Sequence, residues 1–418
     1  MEGRQAVNQP AERVVIINDF SIARGGATTL VLLLLRLLRA RDIPVTMIVG
    51  DDGDNPLFSE LGADVVRLGQ KELLKGNPLK TVLNGIHNGS ASALIRDWIE
   101  HNDTPRTIYH VHIWSQILSP SIFVPLHRVA ERTLIHAHDS FHACPNGAYM
   151  NYPRETQCQL VPLGRDCLTT HCDRRSYAHK LWRITRQARL FSAMGSDIPW
   201  GKFLLIHEKM AAGFLRAGYR AEDLLAIRNP ASPFVDHRVP VEDNSSYFFI
   251  GRLEQEKGPQ DALAAARLAG VRLEVVGDGP LKEALVAQYP EMIFHGWRRA
   301  EEIGELITTA RALVIPSRLP EPFGLVAVEA AASGIPLILT EMAFLADEVI
   351  KDGTGITCNT QDVAHFAAAL HSMDAMARED IRQMSERAYA RAIAMANTPD
   401  GWADKLTGIY ADLLAGEM

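Results

Sequence analysis

What most constrains this chain is a recurring unit: a short apolar run, a loop carrying glycine or histidine, then a stretch of helical periodicity. Its first occurrence is Val14 to Ile17, followed by Asn18 to Ala27 with the pair Gly25 and Gly26, then a helical run from Thr28 to about Arg41. Further apolar runs stand at Pro44 to Val49, Asp64 to Leu68, Thr107 to His112, Arg132 to His136 and Phe203 to Ile206. Strands that alternate with helices pair in parallel, because each helical crossover carries the chain back to the end of the sheet where the previous strand began. Such a sheet is covered by helices on both faces.

The pattern then repeats. Asn229 to Asp243 is rich in proline and polar residues and reads as an interdomain linker. After it, strands are expected at Tyr247 to Ile250, Arg272 to Val276, Met292 to Phe294, Ala312 to Ile315 and Pro336 to Leu339. Helices are expected at Pro259 to Ala269, Leu281 to Gln288, Glu301 to Ala310 and Leu325 to Ser333. From Ala364 to Leu414 the pattern is almost wholly helical. The expected division is therefore 1–228, 229–395 and a terminal helix at 396–418 that returns to the first domain. At 418 residues, two domains can each bury a full core.

A net charge of -7 gives no basic field for nucleic acid. The start of the chain is polar, and the apolar run Leu30 to Leu35 is interrupted by Arg36 before it could span a bilayer. The expectation is a cytoplasmic protein, with the inner face of a membrane as one site of work.

In the second domain, Gly251-Arg252-Leu253-Glu254-Gln255-Glu256-Lys257-Gly258 leaves one strand and enters a helix. Arg252 and Lys257 suit a diphosphate, one as a planar fork of donors and the other as a mobile point charge. Later, Glu321-Pro322-Phe323-Gly324-Leu325 leads into a helix that carries Glu329. Backbone N–H groups at a helix start favour a phosphate, and Glu329 is placed to meet a ribose diol. These two segments, in this order, resemble the diphosphate loop and double-glutamate motif of the retaining family 4 glycosyltransferases (glycosyl transferases group 1).

The resemblance implies the GT-B architecture, two Rossmann-like doubly wound domains facing across a cleft. It implies a retaining, metal-independent glycosyltransferase acting on a UDP- or GDP-sugar. The acceptor would be a saccharide or a lipid-linked molecule in bacterial polysaccharide or glycolipid assembly. Glu321 would orient the donor sugar, Glu329 would hold the ribose, and Phe323, Gly324 and Leu325 would meet sugar and phosphates. Gly277-Asp278-Gly279-Pro280 resembles a turn near the nucleotide. His295-Gly296-Trp297 stands where a loop meets the base, with Trp297 either stacking on it or packing. A non-catalytic sugar-nucleotide-binding protein and a sugar-nucleotide epimerase are the rival functions.

In the first domain, Gly25 and Gly26 match the family's glycine-rich loop, and His136-Ala137-His138-Asp139 resembles its histidine element. His138 would then contact the donor sugar; zinc held by these imidazoles is the alternative. Cys144, Cys158, Cys167 and Cys172 lie in a loop-like stretch outside the family pattern. Structural zinc, reduced core thiols and disulfides are all open for them. Next, Arg174, Arg175, Lys180, Arg183, Arg186 and Arg189 alternate with Tyr177, Leu181, Ile184 and Ala188, which predicts a helix with one basic and one apolar face, suited to a membrane surface or to packing on the sheet.

Overall fold

The computed structural model describes residues 11–73 and 78–416. The polar segment Met1 to Pro10 lies outside them. The chain forms two units, one reaching to Ile227 and resuming at Pro399, the other Arg228–Thr398.

The first unit carries strands β1 (Arg13–Asn18), β2 (Val45–Val49), β3 (Asp64–Arg67), β4 (Thr107–Val111) and β5 (Thr133–Ala137). A small antiparallel hairpin follows, β6 (Met150–Asn151) and β7 (Thr156–Gln157), then β8 (Lys202–Leu205) and β9 (Leu224–Ala226). Except for the hairpin, these make one parallel sheet in the order β3-β2-β1-β4-β5-β8-β9. The first helix, Gly26–Arg39, buries Leu30, Val31, Leu34, Leu35 and Leu38, one stripe at helical spacing. Each fully buried leucine contributes about 2 kcal/mol, so the run that failed as a membrane span is a core helix. Helix Pro399–Ala415 joins this unit and buries Trp402, Leu406 and Tyr410.

The second unit adds β10 (Ser246–Ile250), β11 (Leu273–Val276), β12 (Ile293–Gly296), β13 (Ala310–Ile315), β14 (Leu337–Thr340) and β15 (Gly355–Cys358). They pair in parallel in the order β12-β11-β10-β13-β14-β15. Both units are thus doubly wound α/β sheets of the kind that builds a GT-B protein. Strand order reverses between β1 and β4 in one and between β10 and β13 in the other, the points where such sheets bind ligands.

The stretch expected to be a linker is not a loose one. Val239 and Val241 are fully buried, Phe234 N and Val235 N donate to Ser333 Oγ, and Arg238 pairs with Glu242 at 2.7 Å. Proline and charge hid a segment that packs on the second unit. Two strands of the parallel sheets also escaped the apolar pattern, β9 and β15, both short strands at a sheet edge.

Candidate functional site

The site of the second unit sits at its switch point. Loop Gly251 to Gly258 leaves β10, and the segment from Pro316 leaves the adjacent β13. A backbone bond from Arg318 N to Glu256 O at 2.8 Å joins these two loops, and one from Leu253 N to Asp278 O at 2.9 Å ties the first to the turn after β11. Gly258, at φ +69°, lies so close to β13 that a Cβ there would stand 2.1 Å from Pro316 O. Gly279 is equally constrained, since its Cβ would meet Leu253 O at 2.6 Å. These glycines are therefore required for close approach of one loop to another.

Lys257 Nζ lies 2.8 Å from Glu321 Oε2, so the cation and the carboxylate singled out in separate motifs meet. Arg252 is mostly exposed and pairs with Glu254 at 2.5 Å. Gly324, at φ +68°, starts helix Leu325–Ala332, which has no side-chain cap. Ala327 N turns back to Gly324 O at 2.9 Å, so the N–H groups that could meet an anion are those of Leu325 and Val326. Phe323 is buried, Leu325 half-buried, and Glu321 O accepts from Phe344 N at 3.0 Å. Glu329 is half-buried, and burial pushes its carboxyl up to about 7. Trp297 follows β12, the edge strand, and is 67% exposed.

A long-range contact without a sequence signal supports this loop. Arg318 grips Asp261 with two bonds of 2.7 Å, tying the glutamate segment to helix Pro259–Ala269. Only the fold brings these residues, 57 apart in sequence, together.

In the first unit, Gly25 and Gly26 are exposed at the start of helix Gly26–Arg39, and a Cβ on Gly25 would meet nothing within 4 Å. Space for a ligand is therefore present beside the glycine loop. Neighbouring β4 and β5 bring four histidines together. Ring centroids lie 4.2 Å apart for His110 and His112 and 4.4 Å for His136 and His138. His112 Nδ1 is 2.9 Å from His138 Nε2, and His110 Nδ1 is 2.7 Å from Tyr410 Oη. Burial lowers all four, His138 to about 4 and His110 to about 3, so the cluster is neutral at pH 7. His110, His112 and His136 offer ligand nitrogens within 4.8 Å of one another, a geometry that could hold a metal ion.

Sequence reasoning passed over Asn18 and Asp19. Asp19 accepts from the backbone N–H groups of Gln116, Ile117 and Leu118, and Asn18 Oδ1 from Ile113 N. The two hold the loop after His112; their position at the carboxyl end of β1 was the available signal.

The basic helix differs from its expected form. Helix Tyr177–Met194 buries Lys180 and Arg186, whereas Tyr177 and Leu181 are exposed. Arg186 donates to Ser115 O and lies over the rings of Phe141 and Trp182. Aromatic faces and carbonyls solvate a buried guanidinium, which simple amphipathic counting cannot foresee. Among the described residues no helix is long and apolar enough to cross a membrane. Cys144, Cys158, Cys167 and Cys172 are free thiols; burial pushes Cys144 up to about 12 and raises Cys158.

Residues 236–391 match the family described as glycosyl transferases group 1. Glycogen synthase of Mycobacterium tuberculosis is 30% identical over 260 residues, 57% of this chain and 59% of the relative, so the chain spans under two thirds of that protein. A sucrose-phosphate synthase structure from Thermosynechococcus elongatus superposes with TM-score 0.69 at 18% identity, over 97% of this chain and 100% of its own. Anabaena Alr3699/HepE in complex with UDP and glucose superposes with TM-score 0.64 at 16% identity, over 95% and 98%. These two likenesses show the fold, and the family likeness is confined to residues 236–391.

Proposed function

From a second unit that matches the glycosyl transferases group 1 family over residues 236–391, we propose that this chain is a retaining, metal-independent glycosyltransferase. It takes a sugar from a UDP- or GDP-sugar to a hydroxyl of a saccharide or lipid-linked acceptor. The observation that carries this reading is the meeting of Lys257 and Glu321 across the switch point, beside an uncapped helix start.

Each part has a task. Arg252, Lys257 and the N–H groups after Gly324 neutralise the charge that gathers on the diphosphate as the anomeric C–O bond breaks. Glu321, held by Lys257, accepts hydrogen bonds from sugar hydroxyls and fixes the ring. Glu329 accepts from the ribose diol. His138, neutral at working pH, contributes a hydrogen bond to the sugar rather than a positive charge. The acceptor oxygen bonds to the anomeric carbon on the face the diphosphate leaves, and its proton passes to the departing phosphate oxygen. Anabaena HepE was solved with UDP and glucose, which makes UDP-glucose the first donor to try.

The test is a panel of UDP- and GDP-sugars, read by thermal shift and by release of nucleotide. A true donor at about a hundred times its Kd stabilises the fold by about 2.7 kcal/mol and is turned over when acceptor is supplied. If no sugar nucleotide raises the melting temperature or is consumed, the proposal is wrong.

A further inference from the structure

A cavity of about 640 Å³ is built wholly from the first unit. That volume suits one small organic ligand. Ser115 and Gln116 bring to it the loop after β4, and Phe141 the turn after β5. Gln116 N donates to Asp19 Oδ2 at 2.7 Å, just past β1, and Phe141 N to Asp139 Oδ1 at 2.8 Å, next to His138. The cavity thus adjoins the switch point between β1 and β4, where a doubly wound sheet receives a ligand.

Its wall is cationic. Arg175, His179, Arg183 and Arg186 line it, and no carboxylate does. Arg183 already has a partner, Asp173 at 2.8 Å. Arg186 has none of that kind: it is 5% exposed, and its one hydrogen bond among the described residues is to Ser115 O at 3.1 Å. Asp139 and Asp19 attract it through space, but neither forms an ion pair with it. A buried guanidinium with five N–H donors and one acceptor carries a cost that an oxyanion in the cavity removes. The rings of Phe141 and Trp182, with centroids 4.9 and 5.1 Å from the guanidinium carbon, set its orientation before a ligand arrives. Arg175 is exposed and has no ion pair among the described residues, and its backbone N is fixed by Asp173 Oδ1 at 2.8 Å. The first turn of helix Tyr177–Met194 also meets the cavity, at Ala178 and His179, and its positive end adds to the same field.

We propose that this cavity is the acceptor site and that the acceptor is an anionic saccharide, its phosphate or carboxylate bound by Arg186 and Arg175 beside the ring of Trp182. The word acceptor rests on the glycosyl-transfer reading, which gives the donor the switch point of the second sheet and leaves that of the first to the other substrate. Anion binding does not depend on it. A neutral saccharide leaves Arg186 without its partner, so the site selects against one.

The experiment is fluorine NMR of the full chain labelled with fluorotryptophan, the Trp182 resonance being identified by Trp182→Phe. Inorganic phosphate, hexose phosphates, hexuronates and neutral hexoses are titrated in turn. Phosphate should shift the Trp182 resonance saturably. At least one hexose phosphate or hexuronate should do so at a concentration about tenfold or more below that of the neutral hexose. Arg175→Glu, a change at an exposed side chain, should abolish the response to phosphate while the melting temperature holds. No saturable shift, an equal response to neutral hexoses, a response to inorganic phosphate but to no anionic saccharide, or a response kept by Arg175→Glu would each overturn the proposal. A Trp182 response to anionic saccharides with no sugar nucleotide consumed would overturn the transfer reading instead, and the anion site would stand.

Discussion

Lys257 Nζ and Glu321 Oε2 stand 2.8 Å apart although 64 residues separate them in sequence. The pair joins loops that follow adjacent strands β10 and β13, so one contact positions both the cation and the carboxylate to which the proposed reaction assigns leaving group and sugar.

Glu321→Ala should lower kcat/KM by about a hundredfold or more, the usual size for a group that acts on the transition state. UDP affinity should stay within about threefold, since the role proposed for Glu321 is on the sugar and not on the nucleotide. Lys257→Ala should lower both. Steady-state kinetics with calorimetric titration of UDP separate the two, and unchanged turnover in Glu321→Ala removes its assigned role.

Nucleotide binding should depend on pH through Glu329. Its folded-state pKa is raised from 4.5 to about 7 by burial, so the contribution of this group to stability is present at low pH and is lost as pH rises through 7. In the role proposed for Glu329 a ribose diol donates to the ionised form, and affinity for UDP should therefore rise about tenfold from pH 6 to pH 8. Glu329→Gln should flatten that dependence in the same titration.

Gly258→Ala should cost about 2 to 4 kcal/mol, because left-handed φ and a 2.1 Å approach to Pro316 O coincide there. Gly270→Ala is the control: it shares φ near +70° but has nothing within 4 Å. It should cost about 1 kcal/mol. Urea unfolding of the two variants compares them, and equal losses would mean that loop contact is immaterial.

The buried histidines should make the fold acid-sensitive. His110, His138 and His142 are lowered to about 3, about 4 and about 3, and His112 and His136 well below 6.5, all chiefly by burial. The unfolded chain takes up protons below 6.5 that the folded chain refuses, so stability falls as pH drops from 6.5 towards 4. Asp19, Asp139 and Glu329, raised to about 7, 6 and 7, oppose this over part of the range. The five histidines outnumber them. Denaturant midpoints at pH 5 and pH 6.5 should show the loss, and His136→Asn should reduce it.

Much of the fold was legible because its signals are local. Helix Pro259–Ala269 ends where glycine and proline punctuation says it should, and β1, β4, β5, β10 and β13 are apolar runs buried on both faces. The half-buried strands β9 and β15 and the packed stretch Val239 to Val241 were not legible, since no periodicity marks a residue that is covered by a distant element. The candidate site divided in the same way. Arg252, Lys257, Glu321 and Glu329 stood out by chemical type and by position after strands, whereas Asp261, Asn18 and Asp19 did not, because their work is done on partners far along the chain.

The sequence by itself determined two doubly wound units and the loops that bear the cations, carboxylates and histidines, because alternation and glycine placement act over a few residues. The tertiary structure alone decided which of those groups meet: Lys257 with Glu321, Arg318 with Asp261, and Lys180 with the thiols of Cys167 and Cys172. Such pairings follow from strand order and burial. A lysine reads as a solvated charge in the sequence, and strand order and burial decide which group it meets.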